Sequence, residues 1–350
     1  MAKIKVLSLP SRHPYTSKLN TGRIHFINPN SDLFSRRLCT PEYLNDEFPH
    51  NSYDIVHIHF SFDKLTLEGL QDALQYFKKN NKPIVWTLHS KESQRIRNYG
   101  DGKYQKLLFK YADKIICPTT GAKMWCESTL GIHTSNIEVI PLGFMSDPRD
   151  IKRLQKSTIK DSKLFTMLVG EFRQNKEFLQ SVVNFLQCTD LLDYKLQLIF
   201  KPIPVIDENS QLRQDIVFFY KLVQNPRIEI LSRPEITNDE LNMAFLRSHA
   251  VIIAYKWGTH SGQIEQAKDC GCHAVVSNVG FYKEQWQDVC LYKYNEKDPI
   301  ETARNYTNAL IEIAQRPSIK PLGMVRLKEL NDSVNNHVRI YEGLIAKFSN

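Results

Sequence analysis

Short runs of β-branched and aliphatic residues alternate with longer stretches of helical period, and this alternation occurs twice along the chain. No other feature constrains the fold as much. Strands joined by crossover helices lie parallel, and a parallel sheet must be covered on both faces. The first series places strands at 4–9, 24–27, 55–59, 84–88, 114–117 and 137–140. The second places them at 164–169, 196–200, 228–231, 250–254 and 274–277. Between the two lies a charged stretch with a single proline. The expectation is an α/β protein of two Rossmann-like, doubly wound domains, residues 1–146 and 163–320, joined by a linker at 147–162. Two domains also suit 350 residues, since single cores stop growing near ~250–300. In the remaining segment, 321–350, Val334, Val338, Tyr341, Leu344, Ile345 and Phe348 recur at helical spacing, so an amphipathic helix should pack back on the body. Open α/β sheets bind ligands outside the C-terminal ends of their strands, so the site is expected in a cleft that the domains face.

Composition narrows the class. With 42% hydrophobic and 24% charged residues the chain is neither disordered nor fibrous, and no apolar stretch approaches the roughly 18 residues of a membrane span. The first residues read as a strand rather than a signal peptide, and the seven cysteines contain no CxxC pair, so a cytoplasmic, reduced protein is expected. The charge is uneven: 19 Lys and Arg stand against 13 Asp and Glu up to Phe144, a balance of +6, but 27 against 25 beyond it, +2. Lys78, Lys79, Lys82, Lys103, Lys106 and Lys110 carry much of the excess. It suits an acidic partner such as an anionic membrane surface, with a solvated lysine-rich face as the alternative.

Dinucleotide and P-loop signatures are missing: no GxGxxG follows the first strand and no GxxxxGK[ST] occurs. The second domain instead opens with a strand, then Gly170, Arg173 and Lys176. An Arg fork and a Lys point charge at a helix start can hold a diphosphate, and solvated surface cations are the alternative. Further on, Ser261 is placed to cap a helix, and Gly258 and Gly262 would let a ligand approach the backbone. His57 and His59 share one strand face, but a catalytic zinc site needs a third ligand that no spacing here supplies, so no metal is expected.

The order of several short motifs carries a resemblance. They are Asp54 through His59, Trp86 through Ser90, Ala112 through Pro118, Val139 through Gly143, Gly170-x-x-Arg173-x-x-Lys176, Ser261-Gly262, Gln266-Ala267 and Gly271 through Gly280. In that order, over residues 54–284, the chain resembles GT-B glycosyltransferases, most of all the retaining family four that builds bacterial polysaccharides. The resemblance implies an acceptor-side domain at 1–146 and a nucleotide-sugar domain at 163–320. It implies a nucleotide-diphosphate sugar as donor, no further cofactor, and a glycan or lipid-linked glycan as acceptor. Arg173, Lys176 and the amides around Ser261 and Gly262 would hold the diphosphate, Gln266 would take the ribose position, and His89 would lie near the transferred sugar or the acceptor. The family's two glutamates, eight positions apart, fall here on Gly258 and Gln266, although Glu265 is adjacent and chemically suited to ribose hydroxyls.

Retention would need no dedicated base, because the leaving phosphate takes the proton, whereas inversion would make His89 the candidate base. Three other readings share the fold: a DNA-modifying glycosyltransferase, a sugar-nucleotide epimerase and a non-catalytic binding protein. Against the first, the chain lacks the interleaved aromatic and basic residues of strand-binding proteins, so nucleic acid is not the expected partner.

Overall fold

The computed structural model describes residues 3–34, 37–60, 62–91, 102–130, 134–170, 174–202 and 211–349. Those residues form two compact units. The first holds the described residues up to Gly143 together with Lys328 onward, and the second holds Phe144–Leu327.

The first unit is built on six strands: β1 (Ile4–Leu9), β2 (Ile24–Phe26), β3 (Ile55–Ile58), β4 (Ile84–Thr87), β5 (Lys114–Cys117) and β6 (Ile137–Val139). They form one parallel sheet in the order β2-β1-β3-β4-β5-β6. All four residues of β3 and of β4 are buried, as strands covered on both faces must be. Helix Leu67–Lys79 turns Leu70, Ala73, Leu74 and Phe77 inward, and the Thr66 hydroxyl caps its first turn by accepting from the Gly69 N–H. The C-terminal helix Met324–Ser349 returns to this unit, where Val338, Ile340, Tyr341 and Leu344 join the core formed by Ile4, Val6, Ile24 and Phe26.

The second unit carries β7 (Asp161–Gly170), β8 (Lys195–Phe200), β9 (Ile228–Ser232), β10 (Ser248–Ile253), β11 (His273–Ser277) and β12 (Cys290–Tyr292). Its parallel sheet runs β12-β11-β10-β7-β8-β9. Register fixes the neighbours: Phe165 stands beside Ala250, and Val251 beside Ala274. β12 is too short to announce itself by pattern. The stretch read as a linker at 147–162 is folded structure. It contains helix Pro148–Gln155, capped by Asp147, with Ile151 and Leu154 buried in the second unit's core, followed by the start of β7. Its charged residues line the outer face, and the inward pair at i and i+3 was hidden among them.

In a doubly wound sheet the strand order reverses at one point, and the loops leaving the two strands there diverge and open a crevice. That point lies between β1 and β3 in the first sheet and between β7 and β10 in the second. Among the described residues no helix is long and apolar enough to cross a membrane, and no group of three or more His, Cys, Asp or Glu could hold a metal ion. All seven cysteines are buried thiols.

Candidate active site

In the second unit the loops after β7 and β10 are laced together at the reversal point. The Lys256 N–H donates to the Asn175 carbonyl (2.7 Å), the Glu177 N–H donates to the Ala254 carbonyl (2.9 Å), and Lys176 bridges Tyr255. A small crevice opens there, lined among others by Met167, Leu168, Lys176, Ala254, Tyr255 and Gln263. The Lys176 ammonium donates to the Leu168 and Val169 carbonyls (2.8 and 2.7 Å) and so caps the end of β7. Arg173 lies outside the described residues.

Helix Gly262–Cys270 begins at the same place. Ser261 is its N-cap, with extended backbone (φ −141°, ψ 126°), and its hydroxyl accepts from the Gln263 N–H. The Ser261 N–H, which the sequence offers to a ligand, is taken by the Gln285 side-chain oxygen at 2.8 Å. The Ile264 N–H donates back to the Ser261 carbonyl. Gly262 therefore supplies the first-turn N–H with no partner among the described residues, at the positive end of the helix. The helix stops at Gly271 in the left-handed region (φ 60°), where a side chain would strike the Lys320–Pro321 backbone at 2.4 Å.

At Gly258 a Cβ would meet the Tyr282 hydroxyl at 2.2 Å, so the missing side chain makes room for the tyrosine. Burial pushes the Tyr282 phenol well above its ordinary range.

Glu265 and Gln266 face different neighbours, as adjacent helical residues must. Glu265 is buried in an ion pair with the Arg326 guanidinium (2.6 Å) and also accepts from the Gln285 amide (3.1 Å). Both of its carboxylate oxygens are thus engaged inside the unit. Gln266 donates through Nε2 to the Asn242 side chain (2.8 Å), leaving its amide oxygen without a partner among the described residues. One turn on, the buried Asp269 accepts from Arg326 Nε (2.6 Å) and from the Met145 and Ser146 N–H groups (2.7 and 2.9 Å). Burial pushes its carboxyl up to about 6, against the opposing pull of Arg326. Sequence reasoning missed Arg326, Gln285, Asp269 and Asn242, none of which sits in a recurring pattern.

In the first unit the reversal point collects aromatic rings. His89, just past β4, places Nε2 3.5 Å from His59 Nδ1 and packs edge-on against Tyr15 (4.7 Å) and Phe60 (5.2 Å). His59 is fully buried, its Nε2 has no partner among the described residues, and burial holds its imidazole well below the ordinary pKa. His57, two residues before it, lies between the Tyr341 hydroxyl (2.6 Å) and the Thr87 hydroxyl (2.8 Å), which accounts for both its nitrogens without metal. Of the six lysines singled out above, Lys78 pairs with Asp113 (2.6 Å) and Lys82 donates to the Tyr53 carbonyl. Lys103, Lys106 and Lys110 stand exposed along one helix, Lys103–Tyr111, whose other face buries Tyr104 and Leu108.

Comparison with known proteins agrees with this architecture. Residues 4–146 match the family model for Glycosyltransferase Family 4. No curated protein matches the chain by sequence. Among solved structures, Anabaena Alr3699/HepE in complex with UDP and glucose is 13% identical with a TM-score of 0.61, over 97% of this chain and 100% of that one. Sucrose-phosphate synthase from Thermosynechococcus elongatus is 13% identical at 0.63, over 99% and 98%. An Escherichia coli trehalose-6-phosphate protein bound with UDP-2-fluoro glucose is 14% identical at 0.56, over 93% and 79%. The chain has the GT-B fold of glycosyltransferases.

Proposed function

We propose that this GT-B chain is a retaining glycosyltransferase, moving a sugar from a nucleoside-diphosphate sugar to a hydroxyl of a glycan or lipid-linked glycan. One observation carries the reading. The second unit's pocket sits at the strand-order reversal, with a lysine ammonium at its wall and the Gly262–Cys270 helix start beside it. The Family 4 match over residues 4–146 supports transfer chemistry, and the UDP bound in Anabaena Alr3699/HepE supports uridine as the base.

When the donor bond breaks, negative charge gathers on the departing diphosphate. Lys176, Arg173 and the Gly262 N–H oppose that charge, and one well-aimed donor lowers such a barrier by about 3 kcal/mol. The two carbonyls of β7 anchor the Lys176 ammonium at the pocket wall, where its charge favours a diphosphate bound there. The Gln266 amide oxygen can accept from a ribose hydroxyl. In the retaining course the phosphate receives the acceptor's proton and His89 orients the acceptor or the sugar; an inverted product would make His89 the base. The exposed Lys103, Lys106 and Lys110 suit a peripheral position on an anionic, cytoplasmic membrane face, where a lipid-linked acceptor would reside.

The deciding experiment is a thermal-shift panel of UDP, GDP, ADP, CMP and their sugar conjugates, with EDTA present. A ligand at 100 times its dissociation constant stabilises a protein by about 2.7 kcal/mol. A shift with one nucleoside diphosphate is the expected result, and no shift with any of them would overturn the proposal.

A further inference from the structure

The Ser261 cap is held by a chain of hydrogen bonds that runs deep into the second unit. Gln285 grips both polar groups of the Ser261 backbone: its Oε1 accepts from the N–H (2.8 Å) and its Nε2 donates to the carbonyl (3.2 Å). The same Nε2 donates to Glu265 Oε1 (3.1 Å). Glu265 Oε2 takes the Arg326 guanidinium (2.6 Å), whose Nε is bound by Asp269 (2.6 Å). The deep end is nearly sealed from water, with the Arg326, Asp269 and Glu265 side chains 1%, 1% and 6% exposed.

Only one orientation of the Gln285 amide satisfies this arrangement, because its NH₂ faces two acceptors and its oxygen faces one donor. Glu265 enforces that orientation, and Arg326 holds Glu265. We propose that Gln285 and Arg326 are positioning residues for the donor diphosphate. They act through Glu265 to fix the Ser261 turn, so that the Gly262 N–H and the helix start point at one place. The inference rests on the donor site proposed above. It adds residues that touch no ligand and that lie 24 and 65 positions from the cap.

The test is UDP affinity by calorimetry in wild type, Gln285→Ala and Gln285→Glu, with melting temperatures measured in parallel. Gln285 is half-buried, and its truncation should leave melting close to wild type. UDP binding should weaken by about five- to tenfold, the scale of one hydrogen bond. Gln285→Glu supplies a pH signature. As a carboxylate it cannot donate to the Ser261 carbonyl, and it repels Glu265; protonated, it can donate again. Its UDP affinity, relative to wild type at the same pH, should be low at pH 8 and recover as the pH falls toward 5. A residue that merely braces the fold would lower melting and leave both affinities unchanged, which would overturn the positioning role. If wild type binds UDP and Gln285→Ala binds it equally well, the donor site stands and this inference fails. If wild type binds none of UDP, GDP and ADP, both fail.

Discussion

The Tyr282 hydroxyl occupies the space that a Cβ at Gly258 would need, only 2.2 Å from it. Any side chain longer than glycine's at this position would meet the tyrosine first. Gly258→Ala should cost about 1–3 kcal/mol by overpacking. Tyr282→Phe removes a buried hydroxyl that has no partner among the described residues, and leaves the ring Cζ 3.5 Å from the new methyl, an ordinary contact. Urea melts of both single variants and the double variant should show a coupling that recovers most of the loss; strict additivity would disprove the clash.

Acid should unfold the first unit before a generic loss of salt bridges would. His337 is fully buried, its Nδ1 donates to the Ser333 carbonyl, and burial lowers its pKa to about 4. Burial likewise lowers His57 and His59. Between pH 6.5 and 4 the unfolded chain therefore binds protons that the folded chain refuses, so stability falls as pH falls through that window. At 1.36 kcal/mol per unit, His337 alone contributes at most about 3 kcal/mol to the loss. A His337→Leu variant should show a flatter stability profile between pH 6.5 and 4 than wild type, and an unchanged slope would refute the assignment.

Lys176→Met should weaken nucleoside-diphosphate binding by about tenfold or more, because one charge-assisted contact is lost. Its carbonyl contacts predict a second effect, a drop of about 1 kcal/mol in stability as the end of β7 loses its cap. Calorimetry and denaturation separate the two, and unchanged binding would remove Lys176 from the phosphate site.

Reversing Lys103, Lys106 and Lys110 to Glu should abolish flotation with anionic vesicles at low salt, given about 1 kcal/mol per basic residue near such a surface. The helix keeps its buried Tyr104 and Leu108, so melting should hardly change. If wild type fails to float with phosphatidylserine vesicles at low salt, the membrane reading is wrong.

Eleven of the twelve strands among the described residues were legible because a strand buried on both faces is mostly apolar, as Ile55, Val56 and Ile58 of β3, Ile84, Val85 and Trp86 of β4 and Ala250 to Ile253 of β10 are. Three-residue β12 offers no such signal, and helix Pro148–Gln155 concealed Ile151 and Leu154 among five polar or charged positions and a proline. At the site, residues fixed by local geometry were visible: Ser261 as a cap and Gly271 as a stop follow from backbone conformation. The partners of Glu265 were not, because Arg326 and Gln285 reach it from distant segments, and only the folded chain brings those segments together. The packing demand at Gly258 was hidden for the same reason, since the residue that fills its space lies 24 positions away.

Asp269 gathers both ends of the second unit. The Met145 and Ser146 amides, just after that unit begins, and Arg326, just before it ends, all terminate on this one carboxylate. Within the first unit Gly143 lies against Leu330, whose Cα would stand 3.1 Å from any side-chain carbon on the glycine. Residues 144–327 are thus a cassette whose two ends sit side by side, inserted near the end of a discontinuous host. Such a cassette can be cut out, or its ends joined and reopened elsewhere, without stretching its chain. The host has no such freedom, because its core needs Val338, Tyr341 and Leu344, which are synthesised only after the whole cassette has emerged.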